Sequence, residues 1–313
     1  MTWASTWSET IGAKFGPRMY DPYVASRVGI VASLFRQLPG RTLDGHYGIH
    51  FNQEALDLAD EMGFNGMCAD TTKITMDPTE VTVDLQAFSL STELCVQSRQ
   101  FNSIVDQSQA QINNLLRRTG RAFEWQVING SGATGKPKGL KSWVSNVTDN
   151  GGAALTLNAV DRLLDSVVVG RENVVLVGNE SMKRKLESLA RTYYSQGMVI
   201  DITLPGGYKY PSFKGIPFIA SNFVMSNEGT LSNTTSLYAV SLAEGEGLEA
   251  IFGEPLDLPQ QIAAPGVSAP FQIIRTQIAT GSSKFGYNIY AAANFALHSP
   301  QAASRISNIL VDA

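Results

Sequence analysis

The strongest periodicity in the chain runs from about Val96 to Phe123. Phe101, Ile104, Val105, Ile112, Leu115, Leu116 and Phe123 fall on one stripe, and Arg99, Asn102, Asp106, Gln109, Asn113 and Arg117 on the opposite face. This spacing predicts a helix roughly 40 Å long, weakened at Gly120, where glycine costs about 1 kcal/mol relative to alanine. A lone amphipathic helix of that length needs a flat apolar surface along one side. Before it, Glu80 to Leu85 alternates as a strand, with Val81, Val83 and Leu85 on one face, and His46 to Phe51 is a second strand candidate. Neither has the apolar bulk for a core, and a two-stranded ribbon alone is marginal in water. Residues 44–90 are therefore expected to form an extended loop that rests on another surface.

After the long helix, Trp125–Asn129 reads as a short apolar run entering a glycine-rich loop, Gly130–Gly139. Leu157–Val168 is expected to be a helix that buries Val160, Leu163, Leu164 and Val167, with Asn158 as its N-cap. Asn173–Val177 reads as a buried strand. A helix starting at Asn179 or Ser181 and running to Tyr194 would bury Met182, Leu186 and Leu189. Phe213–Ile219 and Ser236–Val240 read as further strands, so residues 151–258 are expected to form an α+β or α/β subdomain. Pro255, Pro259, Pro265 and Pro270 mark a linker. Phe271–Ala279 and Tyr287–Ala296 are strand-like, and a small helical tail closes the chain. At the other end, Met1 to Leu43 is irregular apart from one amphipathic piece, Val24–Leu38. It carries Trp3, Trp7, Tyr20 and Tyr23. Each such ring can bury ~150–250 Å², so this arm is expected to pack on its own body or on a neighbour.

Composition narrows the function. Charged residues are 17% of the chain and hydrophobic residues 43%, against about 25% charged in ordinary soluble domains. That is compatible with much surface buried between subunits, and equally with a polar, uncharged surface. The net charge of −4 argues against a dedicated nucleic-acid binder, but not against a wall that encloses nucleic acid without gripping it. Cys68 and Cys95 cannot make a disulfide framework. No basic-then-apolar segment stands in Met1–Arg18, and no run of about 18 apolar residues occurs, so neither a secretory leader nor a membrane span is expected.

Candidate chemistry is sparse. Gly130-Ser-Gly-Ala-Thr-Gly135-Lys136 follows the phosphate-binding loop up to the position that needs a hydroxyl for magnesium, where Pro137 stands with neither hydroxyl nor N–H. A glycine-rich structural turn is the expectation. His46 and His50 lie in an extended-looking segment without the further ligands a zinc site needs, and His298 stands apart. No G-x-S-x-G elbow, H-E-x-x-H or C-x-x-C occurs. Asn179 and Glu180 sit where an α/β ligand site could form, at the carboxyl end of a strand, but nothing else converges there. No catalytic, cofactor-binding or metal residue is assigned, and no cofactor is expected.

The order of these elements resembles the major capsid proteins of tailed bacteriophages with the HK-97-like fold. Gln126-Val-Ile-Asn-Gly130-Ser-Gly132 followed by Gly135-Lys-Pro-Lys-Gly139-Leu140 is similar to a family segment in which Asp often replaces Ser131. Val175–Asn179, then Tyr210–Ile219, and the ending Gly286–Ile309 resemble further family stretches. The resemblance covers about 70–313 and reaches the first 70 residues by position only. It implies an α+β fold with an N-terminal arm (1–43), an extended two-stranded loop (44–90), a long spine helix opening a peripheral domain (91–150), an apical α+β domain (151–258) and peripheral return strands (259–313). It implies a structural protein assembling as pentamers and hexamers into an icosahedral head, built in the host cytoplasm. Expected partners are copies of itself, packaged double-stranded DNA held non-specifically, and separate scaffolding, portal and decoration proteins. Phe101, Ile104, Ile112 and Leu116 on the spine, Gly130, Gly132 and Gly139 in the turn, and Val81 and Val83 in the loop are the residues expected to hold structure and interfaces. Positions for the covalent cross-link of some family members are not matched here. An encapsulin-type shell and, further off, an α/β enzyme are the alternatives.

Overall fold

The computed structural model describes residues 34, 37–43, 49–53, 79–95, 107–194, 202–204, 208–227, 231–253, 272–277 and 284–311. In chain order these form β1 (Gly40–Leu43), β2 (Ile49–Gln53), β3 (Thr79–Val83), β4 (Gln86–Cys95), helix α1 (Gln107–Asn129), a short α2 (Leu140–Trp143) and β5 (Val147–Asp149). Then come α3 (Leu157–Asp165), β6 (Val174–Gly178), α4 (Glu180–Tyr194), β7 (Ile202–Leu204), β8 (Tyr208–Tyr210), β9 (Ser212–Phe213) and β10 (Ile216–Ala220). The chain continues with β11 (Thr234–Ser241), β12 (Leu248–Gly253), β13 (Gln272–Gln277), β14 (Lys284–Leu297) and β15 (Ala303–Leu310).

The central feature is a six-stranded mixed sheet in the order β5-β15-β11-β6-β10-β9. Every residue of β6 and β11 is buried. The alternation of a strand explains why both faces can be apolar. Val174, Leu176, Leu237 and Ala239 enter a core with Val160, Leu163 and Val167 around α3 and Met182, Leu186 and Ala190 of α4. Val175, Val177, Tyr238 and Val240 point the other way, into the larger core shared with α1 and the second sheet. α4 starts where Asn179 Oδ1 accepts the Met182 N–H at 2.9 Å. α3 is capped by Thr156, whose hydroxyl accepts the Ala159 N–H, rather than by Asn158, which is already the second residue of the helix. Phe213–Ile219 is not one strand but a hairpin, because Lys214 and Gly215 both have positive φ (54° and 82°), as a two-residue type I′ turn requires.

The second sheet has five strands. β14 runs antiparallel to β4 over ten residue pairs, and also pairs β13 and β12; β1 adds parallel to β12. The two sheets do not divide at residue 258. Leu248–Gly253 belongs to the five-stranded sheet, and the expected helical tail is instead a 3-10 turn at Pro300–Ala302 followed by β15 of the six-stranded sheet. Burial explains β15: Ala303, Ile306 and Ile309 are fully covered beside β11, and such pairing overrides the weak helical tendency of a short segment.

α1 lies along the larger core. Its described span begins at Gln107, with residues 96–106 of the sequence stripe outside the described ones, and it runs through Gly120 to Asn129. The Trp125–Asn129 run is its last turn, because Val127 and Ile128 extend the stripe of Leu115, Leu116 and Phe123. Among the described residues, β2 and β3 pair only with each other, from Ile49↔Val83 to Gln53↔Thr79. The proline-marked linker and nearly all of the arm lie outside the described residues. No described helix is long and apolar enough to cross a membrane.

Candidate functional site

Where α1 ends, three distant parts of the chain converge. The Gly130 N–H closes the last turn onto the Gln126 carbonyl at 2.9 Å, and the chain folds back at once. Gly132 N–H donates to the Pro137 carbonyl at 3.1 Å, Gly139 N–H to the Gly130 carbonyl at 2.9 Å, and Ser131 bridges Lys138. The Ser142 hydroxyl of α2 donates to the Gly130 carbonyl at 2.6 Å. No side chain fits between these backbones: a Cβ on Gly130 would stand 2.4 Å from the Pro137 oxygen, and one on Gly139 2.4 Å from the Gln126 oxygen. Gly132 has φ +69°, a conformation that favours glycine.

This geometry disposes of the phosphate-loop pattern. A phosphate cradle aims free N–H groups at an anion from a helix N-terminus. Here the loop follows a helix C-terminus, the negative end of the dipole, and the N–H groups of Gly130, Gly132, Lys136 and Gly139 are used inside the turn.

The turn is clamped to the five-stranded sheet by Asn294. Its Oδ1 accepts the Lys138 N–H at 3.1 Å and its Nδ2 donates to the Asp84 carbonyl at 2.6 Å. Asp84 lies in the link between β3 and β4, so one buried amide ties the root of the two-stranded ladder to the turn after α1. Trp143 Nε1 donates to the Phe295 carbonyl at 3.0 Å. Lys138 Nζ lies 3.7 Å from the centre of the Trp143 ring, and burial holds its ammonium below the ordinary lysine pKa. Phe88 of β4 meets Phe123 of α1 edge-on at 4.8 Å. Val83 is buried at the same root.

Of the residues singled out from the sequence, Gly130, Gly132 and Gly139 form the turn, Leu116 lies buried on α1, and Val83 anchors the ladder. Val81 is opposite Phe51 in the ladder and Ile112 lies in α1. Phe101 and Ile104 are outside the described residues. Sequence reasoning missed Asn294, although a lone polar residue in the run Tyr290–Leu297 was a signal. It also missed Glu124, buried on α1, whose Oε1 accepts the Leu34 N–H at 3.1 Å and so fastens the end of the arm. A third omission is the enclosed pair Glu249 and His298, 2.6 Å apart, which holds β12 against the end of β14. The Asn179 position is taken up by capping α4 and by a 3.0 Å bond to the Thr235 hydroxyl. On the surface, the Gly151 N–H and then the Asn308 amide hold the Asp149 carboxyl below its usual pKa. Among the described residues, no group of three or more His, Cys, Asp or Glu side chains is placed to hold a metal ion. The arrangement is one of mechanical anchoring: the end of the arm, the root of the ladder, the long helix and the five-stranded sheet are joined here.

No protein-family model matches the chain, and no curated protein is similar to it. Solved structures are. An encapsulin complex of Synechococcus elongatus PCC 7942 superposes with a TM-score of 0.66 at 15% identity, over 90% of this chain and 89% of that one. The capsid of Cyanophage A-1(L) gives 0.60 at 13% identity over 94% of both chains. The capsid of a native GTA particle gives 0.59 at 12% identity over 89% of this chain and 90% of that one.

Proposed function

We propose that this chain, which has the HK-97-like fold, is the major capsid protein of a tailed bacteriophage. In this reading it assembles as pentamers and hexamers into an icosahedral head around double-stranded DNA. The observation that carries it is the extent of the superposition on a phage capsid, 94% of each chain, which leaves little of this chain over for a separate domain. The motifs around Gly130–Gly139 and the C-terminal ending support the same family. In this reading the ladder β2–β3 drapes over a neighbouring subunit and the arm clasps another. Such obligate interfaces commonly bury 2,000 Å² or more, which suits a segment with two strands and no core of its own. Separate scaffolding, portal and decoration proteins complete the head, and the shell forms in the host cytoplasm before becoming the virion wall.

A second reading, an encapsulin-type compartment, is favoured by the TM-score of 0.66 to an encapsulin against 0.60 to the phage capsid. Negative-stain microscopy and sedimentation of the purified chain test both. Closed particles of megadalton mass are expected; a monomer or small oligomer under every assembly condition overturns the shell reading. Particles from infected or producing cells that protect nuclease-resistant DNA support the phage head, and particles filled with protein support the compartment.

A further inference from the structure

We propose that the solvent face of α1 is a contact surface for the phosphate backbone of nucleic acid, formed by Arg117, Arg118 and Arg121. The identity of the polyanion rests on the shell reading above; the surface is read from the helix itself. One face of α1 is buried in the larger core, while Asn114, Arg117, Arg118, Arg121 and Trp125 are exposed. Those five positions follow the helical repeat, so they form one continuous stripe, and the three guanidinium groups are concentrated within about 6 Å of helix axis.

No described residue neutralises them. Among the described residues none of the three arginines has an ion pair or a hydrogen bond from its side chain. Some other surface cations are paired. Arg171 pairs with Asp165 and Lys214 with Asp161. On α4, Lys183, Arg184 and Lys185 sit between Glu180 and Glu187, and Arg184 bonds the Glu180 carbonyl at 3.4 Å. Like charges at i and i+4 on a helix repel, so the Arg117–Arg121 spacing does nothing for α1 itself. In a chain of net charge −4, three adjacent unneutralised arginines are a local exception that a polyanion would relieve.

The chemistry of the groups favours phosphate. A guanidinium presents a planar fork of donors that matches two oxygens of one phosphate, and it stays charged at any relevant pH. Duplex DNA carries one charge per ~1.7 Å of axis, so a cluster this size meets several phosphates at any crossing angle and reads no sequence. Repeated in every subunit of a shell, a weak contact of this kind would hold a layer of nucleic acid against the wall without fixing its register.

The test uses the full-length chain below the concentration at which particles form, with a labelled random-sequence duplex titrated from about 50 to 200 mM salt. Replacing the three residues together (Arg117→Gln, Arg118→Gln, Arg121→Gln) should weaken binding at least about tenfold at low salt. The slope of log affinity against log salt should fall by ~0.9 for each contact removed. A matched control on α4 (Lys183→Gln, Arg184→Gln, Lys185→Gln) removes the same charge and should leave affinity within about twofold. Equal losses in both variants, no loss in the first, or polyglutamate competing as well as duplex at equal charge would each overturn the proposal. If the triple variant does not fold, single Arg117→Gln and Arg121→Gln changes decide it, each expected to lower the slope by about one unit. Microscopy of the wild-type samples keeps the two ideas separate: absence of particles defeats the shell reading, whereas the salt slopes alone decide the arginine surface.

Discussion

In the six-stranded sheet, β6 and β11 are buried residue by residue, and alternate side chains enter two different cores. In the β2–β3 ladder, five residue pairs join two strands that take no third partner among the described residues, and Val83 is the described side chain that reaches a core. Both regions consist of short strands. What separates them is pairing: β6 and β11 each have a strand on both sides, whereas β2 and β3 have each other and, among the described residues, one anchored end. The sheet is stable because its own chain covers it. The ladder is positioned by its root, where Val83 packs and Asn294 holds Asp84; in the proposed shell, another copy would cover it.

Substitutions that attack the covered region and the anchored region should therefore separate folding from assembly. The largest loss is expected from Leu116→Asp. Leu116 is fully enclosed on α1, and a carboxylate there has no described partner, so soluble expression should disappear; normal yield with normal particles would contradict the packing of α1. A middle effect is expected from Asn294→Ala, which leaves the part-buried Lys138 N–H and Asp84 carbonyl without this partner. Loss of stability in denaturant unfolding should be about 1–3 kcal/mol, with faster proteolysis between β3 and β4. An unchanged midpoint would show that the clamp does not tie the ladder to the turn. The smallest effect on stability, and the largest on assembly, should come from deleting about 52–80. The truncated chain should unfold at nearly the wild-type midpoint yet form no closed shells, and normal particles from it would remove the ladder from the assembly scheme.

Much of this architecture could be read in advance, and the misses have physical reasons. The buried stripe of α1 and the helix ending at Tyr194 are signalled by a period of 3.6, the strand around Thr79–Val83 by a period of 2, and the strand at Val174–Gly178 by an unbroken apolar run. Gly120 did not break α1, because Phe123, Val127 and Ile128 pack on beyond it. The Trp125–Asn129 run reads as a short apolar run outside the helix because five residues are too few for the two periods to differ. Leu248–Gly253 and Gln86–Cys95 were passed over because their strand character is defined by long pairings with β14. The glycine turn was legible as a turn, but not as the point where helix, ladder and sheet are joined.

The amino-acid sequence by itself determined the local periods, the need for glycine at a tight turn and the Pro137 that breaks the phosphate-loop pattern, because these depend on residues a few positions apart. Tertiary structure decided which sheet received Leu248–Gly253 and Ala303–Leu310. It also decided that Asn294 would bridge partners 156 and 210 residues away, and that three arginines of α1 would be left without a described counter-charge. Those outcomes depend on which distant segments share a core, and the free energy of closing such long loops is not written in any local stretch of chain.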